Sequence, residues 1–220
     1  MDSARTRTVV PLTAAALAVG LVLAGCGKDE SSSTSSSSSS ASSSAATSAT
    51  SATSSASSAA ATPSANANYF ALLMKVEDIP ATPDGAFAAV GEPTVSKDQP
   101  TDVSQTFKSG PNVIESSVVI NADAASATQW NNAVLASLPT HQTGSPVPVP
   151  SIAPDATFTS GTSLDGKAGR AAVLFTVDRT SAMLLFASPD GDTNPVPQDY
   201  AEAVGKVQAA AMQAGLAGLK

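Results

Sequence analysis

From residue 31 to about residue 62 nearly every side chain is serine, alanine or threonine. Such a stretch has no apolar stripe to offset the entropy of ordering, and its hydroxyls compete with helical backbone bonding. It divides the chain and limits what can fold to residues 67–220, about 150 residues, the usual size of one domain around a single core. Segment 26–66 reads as a tether. As a flexible coil of about 40 residues it spans roughly 35 Å. Its hydroxyls leave open whether it is a plain linker or one stiffened by O-linked sugars.

What precedes the tether states where it is fastened. Arg5 and Arg7 form a basic flank, followed by an apolar run from Val9 to Ala24 that ends in Leu23-Ala24-Gly25-Cys26. About 15 apolar residues fall short of the roughly 20 that cross a bilayer as a helix, and with small residues before the cut they describe a signal peptide over 1–25. The tetrapeptide reads as a lipobox. Leu23 offers an apolar anchor, Ala24 and Gly25 leave the backbone accessible, and the Cys26 thiol is the nucleophile that takes a diacylglycerol as a thioether. Two acyl chains, at about 0.8 kcal/mol per buried methylene, anchor stably where one is marginal. Lys28-Asp29-Glu30 then supply a charged edge at the bilayer surface. The expected location is the extracytoplasmic face of the cell membrane, with the domain reaching toward the cell wall. The expected membrane partner is the bilayer itself, through Cys26.

Committing the chain's one cysteine to lipid excludes an internal disulfide and removes a zinc ligand. The chain carries a net charge of −7. Three basic and three acidic residues precede residue 31, so the domain keeps that acidic balance. Such a domain repels phosphate backbones, and nucleic acid is not an expected partner.

Within the domain, apolar residues at helical spacing over 69–76, closed by Pro80 and Pro83, predict a short helix. Alternation over 102–107 and 112–121, with Lys108-Ser109-Gly110-Pro111 between, predicts an antiparallel hairpin. Asp123 caps a helix that runs to Leu138 and stops at Pro139, with Ala127, Trp130, Val134 and Leu138 on one face. Pro146, Pro148, Pro150 and Pro154 then favour extended chain and forbid a central strand. Strands are predicted over 156–161, 169–177 and 182–187, the last two joined by a turn at Asp178-Arg179-Thr180-Ser181. A helix opening at Pro197 and Asp199 ends near Gly215 or Gly218, with a stripe of Tyr200, Val204, Val207, Ala211 and Ala214. The order α-β-β-α-β-β-β-α gives an α+β domain with an antiparallel sheet of about five strands and helices packed on it.

Chemistry is harder to find. His141, the one histidine, sits among polar residues in the proline loop, where sequence places no nucleophile or orienting carboxylate beside it. Asp190-Gly191-Asp192-Thr193-Asn194 opens like a calcium loop. The match fails at Pro195, where the sharp turn needs glycine, and at Ala201, where a bidentate carboxylate should close the shell. Gly161 to Gly166 has the wrong spacing for a nucleophile elbow and reads as a β-turn. No catalytic residue, metal ligand or cofactor is therefore expected. Phe107, Trp130, Phe175 and Phe186 are the candidates for a shared apolar pocket or for a filled core.

The lipobox, the tether and the segment Leu72-Leu73-Met74-Lys75-Val76-Glu77-Asp78-Ile79-Pro80 resemble the small cell-envelope lipoproteins of mycobacteria and related actinobacteria. So does the run from Gly161-Thr162-Ser163 through Asp165-Gly166 to Val173-Leu174-Phe175. Extracytoplasmic sensor domains of that group are similar, and the likeness covers residues 68–214. It implies a location and a fold, and roles in binding, sensing or envelope maintenance, with no catalytic residues to carry over. The expectation is a non-catalytic domain that binds an envelope protein or an amphiphilic ligand. A hydrolase acting on envelope material and a surface antigen or spacer without a specific ligand are the alternatives.

Overall fold

The structure, a computed structural model, describes residues 68–219. The signal segment, Leu23, Ala24, Gly25, Cys26 and the tether through residue 66 lie outside the described residues. The class is α+β with an antiparallel sheet. The strand number differs from the expected five, because three short strands join the long ones and bring the count among the described residues to eight.

Two 3-10 turns, Tyr69–Leu72 and Val76–Asp78, precede β1 (Ala88–Ala89), β2 (Thr94–Val95), β3 (Asp102–Ser109) and β4 (Asn112–Ile120). Helix α1 (Ala124–Ser137) and a 3-10 turn at Leu138–Thr140 lead to β5 (Pro146–Pro148), β6 (Thr157–Thr162), β7 (Gly169–Val177), β8 (Thr180–Ala187) and α2 (Gln198–Gly218). The sheet runs β1-β3-β4-β8-β7-β6-β5, with β2 sharing the outer edge of β3. The added strands β1, β2 and β5 have two or three residues each, too few to display a period of two. β5 lies at an edge, where Pro146 and Pro148 need donate nothing outward.

The β7–β8 hairpin is tighter than expected. Val177 pairs with Thr180 directly, leaving Asp178-Arg179 as the turn, with Asp178 at φ 52°. Aspartate tolerates this left-handed region better than most residues. At α1 the cap is as read from sequence: Asp123 Oδ1 accepts from Ser126 N–H at 2.7 Å. These bonds, the Ser126 N–H first among them, hold the Asp123 carboxyl below its ordinary range.

Because side chains alternate along a strand, the sheet presents two faces. Val173, Phe175, Leu184 and Phe186 join Val204 and Met212 of α2 in the main core. Ala172 and Leu174 face α1, beside Leu138 and the half-buried Val134 and Leu135. Both long helices are turned by about a residue from the expected stripes. In α1 the buried positions are Ala127 and Asn131, while Trp130 is only half-buried and joins neither cluster. In α2 they include Ala201, Gly205, Gln208 and Gly215, while Ala214 is exposed. In α2 the cause is close approach: a Cβ on Gly205 would sit 2.5 Å from Ile152 Cδ1, and one on Gly215 2.6 Å from the Ala71 carbonyl oxygen.

The expected first helix is replaced by the two 3-10 turns, and Gln208 explains why. Its Nε2 donates to the Leu72 carbonyl at 2.7 Å, and its Oε1 accepts from Met74 N–H at 3.1 Å and from Ser116 Oγ at 2.8 Å. Backbone groups that an α-helix would pair internally are taken by a buried side chain from the far end of the domain. Leu72, Leu73 and Met74 are thereby pinned in the core.

Candidate functional site

The four aromatic candidates do not form one pocket. Phe107, Phe175 and Phe186 lie together in the main core, while Trp130 belongs to α1 on the opposite face of the sheet. Of the four, Phe186 lines a surface cleft of about 380 Å³.

That cleft is built where the sheet ends. Ile114 of β4 and Phe186 of β8 are cross-strand partners, and together with Phe87, Val196 and Tyr200 they give it an apolar floor. One wall is segment 81–87, and the other is the 188–197 connection into α2. The first wall is closed on itself. Thr82 and Gly85 exchange backbone hydrogen bonds at 3.0 and 2.9 Å, and Ser109 Oγ donates to the Gly85 carbonyl at 2.9 Å. Gly85 has φ 119°, a conformation open to glycine. Tyr200 holds the wall to α2, its hydroxyl donating to the Pro80 carbonyl at 2.7 Å. Partial burial pushes the Tyr200 phenol up to about 12, so it remains a donor through the physiological range.

The second wall is the Asp190–Asn194 stretch that resembled a calcium loop. Asp192 Oδ1 accepts from the Asn194 backbone N–H at 3.0 Å and from its Nδ2 at 2.9 Å, while Ser188 Oγ donates to the Asn194 carbonyl at 2.8 Å. The loop is bound to the neighbouring β6–β7 turn through Gly191 N–H to the Lys167 carbonyl. It is a polar turn. Among the described residues no group of three His, Cys, Asp or Glu side chains is placed to hold a metal ion, and no helix is long and apolar enough to cross a membrane.

At the rim, Asn112 Nδ2 donates to Asp84 Oδ2 at 2.8 Å, and Asp192 stands in the facing wall. His141 is exposed at the end of the Leu138–Thr140 turn and does not line the cleft. The Gly161–Gly166 stretch closes the β6–β7 turn: Gly166 N–H bonds the Ser163 carbonyl at 2.8 Å. The Asp165 carboxyl there is held low, chiefly by the Ser163 hydroxyl and then by Lys167.

No protein-family model matches the chain, and no curated protein is similar enough to be matched to it. The likeness to envelope lipoproteins thus rests on the motifs quoted above. The structure gives one of them a physical role: in Leu72 to Pro80 the buried Leu72, Leu73, Met74 and Ile79 anchor the start of the domain, and the Pro80 carbonyl takes the Tyr200 hydroxyl.

Sequence reasoning missed the cleft because its walls lie about a hundred residues apart in the chain. The only local traces were the turn signals Asp84-Gly85 and Asp190-Gly191, which mark loops without pairing them.

Proposed function

We propose that this chain is a lipid-anchored cell-envelope protein whose α+β domain binds a partner or a small amphiphilic ligand and performs no chemistry on it. The observation that carries the binding half is the cleft, which combines an apolar floor with a few fixed polar groups at its rim, the usual make-up of a ligand site. Its hydroxyls support a non-catalytic role. Thr82, Ser188 and Tyr200 each donate to a backbone carbonyl, and no histidine lines the cleft to act as their base. The anchoring half rests on Leu23-Ala24-Gly25-Cys26 and on the tether, which puts the domain beyond the headgroups.

Cell fractionation of Cys26→Ser tests the anchor: release from the membrane fraction is expected, and unchanged retention contradicts it. Turnover of an ester, glycan or peptide by the purified protein, abolished by changing one residue, would contradict the non-catalytic reading.

A further inference from the structure

The chemistry of the cleft narrows the ligand beyond "amphiphilic". Among the described residues that line it, the only charged side chains are Asp84 and Asp192, one in each wall; no lysine, arginine or histidine is among them. Neither carboxylate is used up internally. Asp84 gives Oδ2 to Asn112, and Asp192 gives Oδ1 to Asn194, so each carboxylate is fixed in orientation. Among the described residues the second oxygen of each has no hydrogen-bond partner, and the Lys167–Asp165 ion pair involves neither. Below them lie Phe87, Phe186 and Tyr200.

Three classes of occupant can be compared on this lining. An anion would meet two like charges. A neutral apolar molecule would fill the floor but take water from the free carboxylate oxygens and give nothing back. An organic cation meets opposite charge at the rim, pairs the free oxygens through charge-assisted hydrogen bonds, and lays its carbon body on aromatic rings that attract cations. The N-terminus of α2, which borders the cleft at Pro197 and Tyr200, would favour an anion, but Asp199 already occupies the first turn and accepts from Tyr200 N–H at 2.9 Å. Among the described residues that line the cleft, the charged groups are the two aspartates.

We propose that the cleft between segment 81–87 and the 188–197 connection is a binding site for an ammonium or guanidinium group carried on an apolar body, with Asp84 and Asp192 as its counter-charges. This rests on the reading of the cleft as a ligand site, and the test separates the two. A chemical-shift titration of the full-length protein uses three probes of one length: butylammonium, butan-1-ol and butyrate. Butylammonium is expected to shift the Phe87, Ile114, Phe186 and Tyr200 amides saturably and to bind at least about tenfold more tightly than the alcohol, with butyrate silent and the preference shrinking as salt rises. The double variant Asp84→Asn/Asp192→Asn, whose amides can keep the contacts to Asn112 and Asn194, should remove the preference and leave the spectrum folded. The single variant Asp192→Asn should lower it part-way.

Equal binding of ammonium and alcohol overturns the cation assignment while leaving a ligand cleft in place. No shift with any of the three overturns both. A fourth probe, N-acetyl-lysine methylamide, distinguishes the source of the cation: tighter binding than butylammonium assigns it to a side chain of a protein partner, equal or weaker binding to a free small molecule, and either result requires the same aspartates.

Discussion

Toward α2 the sheet presents Val173, Phe175, Leu184 and Phe186 to a cluster of twenty-five buried apolar residues that also takes in Leu72, Ile79 and Met212. Toward α1 it presents Ala172 and Leu174 to a cluster with only three buried members, edged by the half-buried Val134, Leu135, Met183 and Leu185. Polar groups differ in the same direction. Buried on the α2 side, Gln208 uses both ends of its amide on Leu72, Met74 and Ser116. By contrast the buried Oδ1 of Asn131 in α1, with Gln142 Nε2 and Thr159 Oγ1, finds no protein partner. One face therefore carries most of the apolar burial and ties both ends of the domain together. The other is a thinner cover, held by contacts such as Ser181 Oγ to the Ala127 carbonyl at 3.0 Å. The cleft belongs to the well-packed side, since its floor is the outer margin of the α2-facing core. A site at the edge of a rigid core holds its shape without a ligand, as preorganised binding requires.

This contrast can be broken by mutation. Phe175→Ala, at a fully buried position of the α2 face, should cost about 3–5 kcal/mol in urea unfolding. Gln208→Ala should follow, since each buried group it orphans costs roughly 1–3 kcal/mol; hydrogen exchange at Met74 should rise with it, because that amide loses its acceptor. Leu138→Ala on the α1 face should fall near the lower end of the usual 2–5 kcal/mol range, about 2. Were Leu138→Ala to cost as much as Phe175→Ala, the two faces would be energetically alike. Asn131→Leu should be close to neutral, within about 1 kcal/mol, because it removes an unpaired buried acceptor.

The smallest effect concerns pH. Asp102 begins β3 on the α1 side of the sheet, its Oδ1 accepting from Ser117 Oγ at 2.8 Å. Burial raises its carboxyl above 3.8, and the Ser117 bond only partly offsets this. A folded-state value above the unfolded one means that the neutral acid is favoured by folding, so this stabilisation is complete below 3.8 and is lost as pH rises through the folded value. Asp102→Asn should accordingly raise the melting temperature slightly at pH 7, with the gain vanishing as pH falls toward 3.8. A gain that persists undiminished in acid would contradict it.

β3 and β4 were legible because their side chains alternate over eight or nine residues, and β7, an apolar run bounded by turns, spans the expected 169–177. Asp123 was legible as a cap because its mechanism is local. What was not legible depends on residues that carry no apolar signal. The α2 stripe was misplaced because Gly205, Gln208 and Gly215 form part of the buried surface, two by letting chains approach and one by bonding across the core. Trp130 was read into the core because it shares a helical face with Ala127, Val134 and Leu138, yet it is only half-buried while Ala127 and Asn131 are buried. The cleft itself appears only when β4 and β8 bring segment 81–87 next to 188–197, a pairing that neither stretch encodes alone.

The most direct test is intact mass spectrometry of the protein drawn gently from its native membrane, before and after mild denaturation. A chain beginning at Cys26, heavier by a diacylglyceryl group and carrying a cationic adduct that denaturation releases, is the expected result; Asp84→Asn/Asp192→Asn should keep the acyl mass and lose the adduct. A chain that retains residues 1–25, bears no acyl group and carries nothing in its cleft would contradict both the anchor and the site.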